Sequence, residues 1–397
     1  MKAPPKSAVS TTTCALGASG AVVGFLLAWF LGLSAVPSWL MLLIASAVPM
    51  WISEWRRRDA KILSAVNREQ TLAGAIVISL LFLGVMHLQI RFGGKGEGVS
   101  LFLLPISLAC IAMIAVAAAA PSALSDSVAA AGRALISLSQ ARRPPLQDLT
   151  GLLGWLVKAL FLPLMLAWSF VWVSSAAFAW ESDPRLNWFF ATMAVLYAVD
   201  TAFATIGYLS TTERIGAQIR STDRTWLGWI AALVCYPPLS VLVLDTWLIY
   251  KGAQNWVEWS SGSSLFSFFW GAGILALTAI YVWATVAFGP RFSNLTHRGI
   301  ITSGPYKWCK HPAYLAKNLS WWMISVPFVN GGELLEVGAH CSALVGINAI
   351  YWVRALTEER HLRSDPTYVA YAQWISVNGV FARIKVFAAR RLMTARS

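Results

Sequence analysis

The chain has 397 residues, of which 57% are hydrophobic and only 12% charged, with a mean hydropathy of +0.60 and a formal net charge of +13. A soluble domain would carry roughly 25% charged residues, so the composition excludes an ordinary water-soluble protein. The charges sit between long apolar runs, which points to a bilayer and away from nucleic acid as the partner of the basic excess.

Ten apolar runs follow in chain order, near 14–34, 37–54, 71–90, 100–121, 152–180, 186–209, 225–247, 264–288, 312–329 and 338–356. Runs of this length span a bilayer as helices. The first two are joined by a tight turn. No small-residue cleavage site follows the first, so it reads as a retained helix. With the N-terminus taken as cytoplasmic, 26 of the 31 Lys and Arg fall on the cytoplasmic side and four opposite, with Lys158 inside a run. That asymmetry follows the positive-inside rule. The expectation is an all-α polytopic integral membrane protein of about ten transmembrane helices, with both termini cytoplasmic. Most of the 21 Trp lie near run ends, as in an interfacial aromatic belt.

Composition divides the chain into an N-terminal four-helix region (1–124), a moderately polar cytoplasmic connection (125–150), middle helices that offer an acceptor region (151–260), and a C-terminal core with a basic tail (261–397). The connection is a candidate interfacial helix. The tail alternates basic and apolar residues, as a helix lying on an anionic leaflet would. The five cysteines lack metal-ligand spacing, and no metal is expected. No internal or inverted repeat of the transporter kind is visible.

Polar information is densest in two segments, 289–318 and 348–374, which the charge count places on one face. In the first, Gly304-Pro305 makes a turn and His311-Pro312 opens a helix, with proline where its missing N–H costs nothing. Lys307, Lys310 and His311 beside that helix start would suit a carboxylate. In the second, Glu358 and Glu359 suit a ribose diol or the cationic end of a ligand. Tyr368 and Tyr371 share a face of a short helix after Asp365-Pro366 and would wall a pocket. Asp200, an ionisable residue inside a run, is a functional candidate. Arg220, within the Glu213–Arg224 charge cluster, is a second possible substrate contact. Cys235 to Pro238 breaks the seventh run and offers a lateral entrance. His87 and His340 read as interface or far-side residues, His297 and His361 as solvated loop positions.

A Gly-Pro-Tyr turn, a basic residue, His-Pro-x-Tyr opening a membrane helix, then Glu-Glu beyond the next helix and two spaced tyrosines resembles the signature of the isoprenylcysteine carboxyl methyltransferase and phospholipid methyltransferase superfamily. Here those elements are Gly304, Pro305 and Tyr306; His311, Pro312 and Tyr314; Glu358 and Glu359; Tyr368 and Tyr371. The resemblance covers about residues 264–385. The chain departs from it in having Lys310 where the family has arginine, and in its additional helices.

The resemblance implies S-adenosyl-L-methionine in a cytoplasmic pocket formed by those ten residues, and an acceptor arriving from the bilayer. An isoprenylcysteine-like carboxyl, a thiol and a phospholipid amine are all compatible acceptors. No covalent nucleophile is expected, because methyl transfer mainly requires orientation and exclusion of water. The alternatives are an NADPH-dependent sterol-type C=C reductase and a non-enzymatic transporter or assembly factor.

Overall fold

The computed structural model describes residues 3–57, 67–93, 98–178, 186–244, 246–250, 255–329 and 333–394. Lys2, Arg58, Lys61, Lys95, Arg185, Lys251 and Arg396, all part of the loop-charge count, lie outside them. The described residues are mostly helical, and the one sheet among them is a two-residue antiparallel pairing.

Helices α1 (Thr11–Phe30) and α2 (Ala35–Trp55) form the expected hairpin, followed by α3 (Arg68–Phe92) and α4 (Leu103–Ala119). The polar connection folds as α5 (Asp126–Ser139) and leads into α6 (Leu146–Phe178) and α7 (Asn187–Leu209). After α8 (Trp226–Leu233), α9 (Leu239–Val243) and α10 (Trp256–Ser260) comes the long α11 (Ser264–Val286). The chain ends with α12 (Pro312–Ser325), α13 (Leu334–Leu362), α14 (Pro366–Asn378) and α15 (Val380–Thr394).

Among the described residues, eight helices are long and apolar enough to cross a membrane. Large apolar side chains stay exposed on them, Phe30, Leu80, Leu104 and Phe269 among them, as expected where lipid is the solvent. Two of the ten expected runs depart from continuous spanning helices. The seventh breaks between α8 and α9 at Pro237-Pro238, joined by a cis peptide, because proline supplies no helical N–H. That broken segment still leads away from the α7 C-terminus, since Trp256 of α10 packs 4.6 Å from Phe189 at the α7 start. The ninth run gives the 14 residues of α12, about 21 Å of helix. It stops at Val326, whose φ is 37°, because the following Pro327 disfavours helical backbone before it.

Helices α6 and α7 are the central pair, with 61% and 67% of their most apolar stretches buried, against 39% or less in the other spans. The first four helices divide between two cores. One joins α3, α4 and α5 to α6 through Ile78, Met86, Phe102, Val128 and Phe161. The other joins α1 and α2 to α7, α11 and α14 through Met50, Phe203, Val282, Tyr306 and Tyr371.

Helix α5 is more than a surface helix. A Cβ on Gly132 would lie 1.9 Å from the Gln70 carbonyl oxygen, and one on Gly74 equally close to that of Val128. Only glycine permits this backbone-to-backbone approach of α3 and α5.

Candidate functional site

The site begins in the loop between α11 and α12, which two buried arginines hold in place. Arg298 donates from Nε to the Ala217 carbonyl (2.7 Å), from Nη1 to those of Gly207 (2.8 Å) and Phe292 (2.9 Å), and from Nη2 to Pro290 (3.0 Å). Arg291 donates to the Arg298 carbonyl (3.0 Å) and pairs with Glu54 of α2 (3.3 Å), which also accepts from Thr13 of α1 (2.9 Å). The N-terminal strap lies across the same loop, with Ala8 N donating to Ile300 O (2.9 Å) and Thr302 Oγ1 to Pro5 O (2.6 Å). The two-residue strands Ser221–Thr222 (β1) and Thr296–His297 (β2) pair beside it. The starts of α1 and α12 and the ends of α2, α7, α11 and α13 therefore share one end of the bundle.

Gly304 turns the chain at φ 60°, where a Cβ would crowd Trp283. Tyr306 packs edge-on against Phe288 at 5.5 Å, and the Tyr371 hydroxyl donates to the Tyr306 carbonyl (2.8 Å), pinning the turn to α14. His311 caps α12 and Pro312 is its first residue. Lys310 Nζ reaches Glu359 at 2.7 Å and His311 Nε2 reaches it at 3.1 Å. Glu358 accepts from Tyr314 and from Arg354 Nε (3.4 Å), and its Oε2 lies 3.9 Å from His311 Nδ1. The rings of His311 and Tyr314 stack in parallel, centroids 5.5 Å apart.

The start of α12 and the acidic pair of α13 thus meet across one cavity of about 180 Å³. Tyr306, His311, Tyr314, Glu358, Tyr368 and Tyr371 line it, whereas Gly304, Pro305, Pro312 and Glu359 stand behind its wall. The two carboxylates differ: the Glu358 side chain is 34% exposed, Glu359 only 16% and engaged by two cations. Burial holds the phenols of Tyr306, Tyr368 and Tyr371 above their ordinary range, so these rings offer neutral walls and donors.

Neither of the other two candidates lines the cavity. Asp200 is buried behind it, taking a 2.5 Å hydrogen bond from Tyr281, which does line it. Arg220 lies outside, 3.7 Å from Asp365.

The histidines expected as solvated are otherwise placed. His297 and His361 both line the cavity, His297 because the β1–β2 pairing folds its loop inward and His361 from the last turn of α13. His361 meets Ser221 Oγ at 2.9 Å. His297 lies 3.1 Å from Asp365, and burial pushes its imidazole down to about 4 although Asp365 opposes the shift. Burial works against ionising Asp365, but hydrogen bonds from Thr367 and the neighbouring His297 and Arg220 hold its carboxyl below the usual range.

Several cavity residues escape a motif reading. Arg354 joins Glu358 to Asn294 (2.6 Å), and its place four residues before Glu358 on one helix face was the available signal. Tyr236, Tyr281, Tyr351 and Lys317 also line the wall, and nothing local to the sequence marks them. No protein-family model matches the chain, and neither does any curated protein or solved structure.

Proposed function

We propose that the protein is an S-adenosyl-L-methionine-dependent methyltransferase whose cavity faces the cytoplasm and whose acceptor is lipophilic. One observation carries this reading. Residues 311–314 and 358–371, half a hundred positions apart in the chain, converge on one cavity that offers an accessible carboxylate between aromatic walls. Such a carboxylate suits a ribose diol, and neutral tyrosines suit an adenine face.

The cofactor, when bound, supplies an electrophilic methyl group. This chain's residues supply position and dryness. Glu358 is the carboxylate free to exchange its partners for a ligand. Glu359 serves as a clamp, holding Lys310 and His311 so that the start of α12 stays against the end of α13. Tyr371 fixes the Gly-Pro-Tyr turn, and Tyr368 closes the side towards α14. A reaction that needs orientation and exclusion of water requires little more from the protein.

The test is ligand-dependent stabilisation of the purified protein in detergent. S-adenosylhomocysteine should stabilise the fold by about 2.7 kcal/mol at roughly a hundred times its Kd, read as a raised unfolding midpoint, and NADPH should not. Glu358→Ala and His311→Ala should abolish the shift while each variant still unfolds cooperatively. Stabilisation by NADPH alone, or an undiminished shift in both variants, overturns the reading.

A further inference from the structure

Of the three cations expected to bind a carboxylate beside the helix start, Lys307 is exposed and does not line the cavity, and the other two are already taken. Lys310 and His311 are both held by Glu359. Arg354 is divided between Glu358 and Asn294, His297 faces Asp365, and Arg298 spends its N–H groups on four backbone carbonyls.

Lys317 differs. It lines the cavity from the second turn of α12, five residues past Pro312 and so about 7.5 Å deeper than the rim. Among the described residues, no carboxylate oxygen lies within 4.0 Å of its Nζ and no hydrogen bond reaches it. Three aromatic rings surround it instead: Trp321 at 5.1 Å, Tyr281 at 5.4 Å and Tyr351 at 5.7 Å from Nζ to ring centroid. Asp200, whose charge acts on Lys317 from beyond ion-pair distance, is held behind Tyr281 by that hydroxyl and does not border the cavity.

A half-buried cation with no carboxylate in ion-pair reach, and only the more remote Asp200 to offset it, is costly, and it attracts an anion more strongly than a surface lysine does. Intramembrane ionisable residues commonly mark ligand sites for this reason. We propose that Lys317 is the anion-binding residue of the cavity and that it takes a carboxylate.

Two ligands carry that group to this place. One is the amino-acid tail of the cofactor. The other is the head of a lipophilic acid entering from the bilayer, since Lys317 stands against Tyr351 and Trp321, which belong with Leu344 to one apolar cluster. The first source rests on the methyltransferase reading and the second does not. A cationic or amine head would meet repulsion from Lys317 at the same position, so the phospholipid-amine class of acceptor is disfavoured.

The experiment measures binding to the full-length protein in detergent with two matched probe pairs. S-adenosylhomocysteine is compared with 5′-methylthioadenosine, which lacks the carboxylate, and palmitate with hexadecanol. Lys317→Met should weaken one carboxylate probe by about tenfold or more, the worth of a hydrogen bond to a charged group, and leave its uncharged counterpart unchanged. Lys317→Arg should restore it.

Selective loss of S-adenosylhomocysteine assigns the cofactor tail; selective loss of palmitate assigns a lipophilic acid. Folding is read separately: Lys317 makes no ion pair within 4.0 Å among the described residues, so Lys317→Met should still unfold cooperatively, and the uncharged probes report whether the cavity is intact. The proposal is overturned if Lys317→Met binds both carboxylates as tightly as wild type, if charged and uncharged probes weaken equally, or if the wild type binds neither carboxylate. Lys317-dependent palmitate binding without any S-adenosylhomocysteine binding leaves this site standing and removes the methyl-donor reading. Glu358-dependent S-adenosylhomocysteine binding that ignores Lys317, with palmitate indifferent too, does the reverse.

Discussion

The two halves of the bundle solve packing differently. Around α3, α5 and α6 the chain brings backbones together through glycine and alanine, and Gly74, Gly132, Ala75 and Ala129 to Ala131 leave room for nothing else. Around α7, α11 and the loop before α12 it buries Arg291, Arg298, Arg354, Asp223 and His297 instead. Apolar close packing needs no partners and gives a rigid anchor. Buried charge is costly unless it is matched, and here Arg291, Arg298, Arg354 and His297 each have partners. The contrast separates a part packed backbone to backbone from a part held by buried charge around the cavity.

The sharpest way to break this comparison is to remove a single matched charge. Arg298→Leu leaves the carbonyls of Ala217, Gly207, Phe292 and Pro290 without their donor. It should cost about 4 kcal/mol, read as a lowered unfolding midpoint and loss of the monodisperse species in detergent. An Arg298→Leu protein that melts like wild type would show that the loop is held by packing alone.

The anchoring half is probed by Gly132→Val. Its new side chain meets the Gln70 carbonyl and should force α5 off α3 at about 3 kcal/mol. The expected readout is faster proteolysis between α5 and α6, with any ligand-induced stabilisation of the cavity retained. Loss of that stabilisation in Gly132→Val would mean the halves are not separable.

The smallest effect is a pH dependence. His297 titrates near 4 in the folded protein against 6.5 for an ordinary histidine. A depressed pKa means the unfolded chain binds the proton first. The folded state therefore keeps its full stability above pH 6.5 and loses it as the pH falls towards 4, by on the order of 2 kcal/mol. His297→Asn should flatten the midpoint–pH curve in that window; an unchanged slope would place the dependence on another group.

Much of the site was legible because its motif residues are sequence neighbours. The turn at Gly304, the proline-opened helix at His311 and the acidic pair at 358 and 359 follow from local rules about turns and helix ends. Their meeting did not. The ranking of the two carboxylates depends on Lys310, 49 residues from Glu359, and on Tyr314, 44 from Glu358. Lys317 and Arg298 look like ordinary loop cations when charges are counted along the chain. Both turn out to be at the cavity wall, one unpaired and the other tied to carbonyls from three segments. The histidine at 297 was misplaced for a related reason, since a two-residue strand pairing has too little periodicity to be read from sequence, and His361 because α13 runs on past the apolar run that marked it.

The seventh run shows the same limit in an element. Its hydropathy suited a spanning helix, and the proline pair gave notice of a break, but only the fold shows that the broken piece leaves Tyr236 on the cavity wall. The sequence by itself determined the class of protein, most of the membrane helices and the end of the bundle where charge collects. Hydrophobic length and loop charge are properties of contiguous residues, so they survive without coordinates. The tertiary structure decided which acid is open, which cation has no partner and which helices are anchors. Those outcomes are set by burial and by pairings between distant positions, such as Glu54 with Arg291 across 237 residues, and no local pattern encodes them.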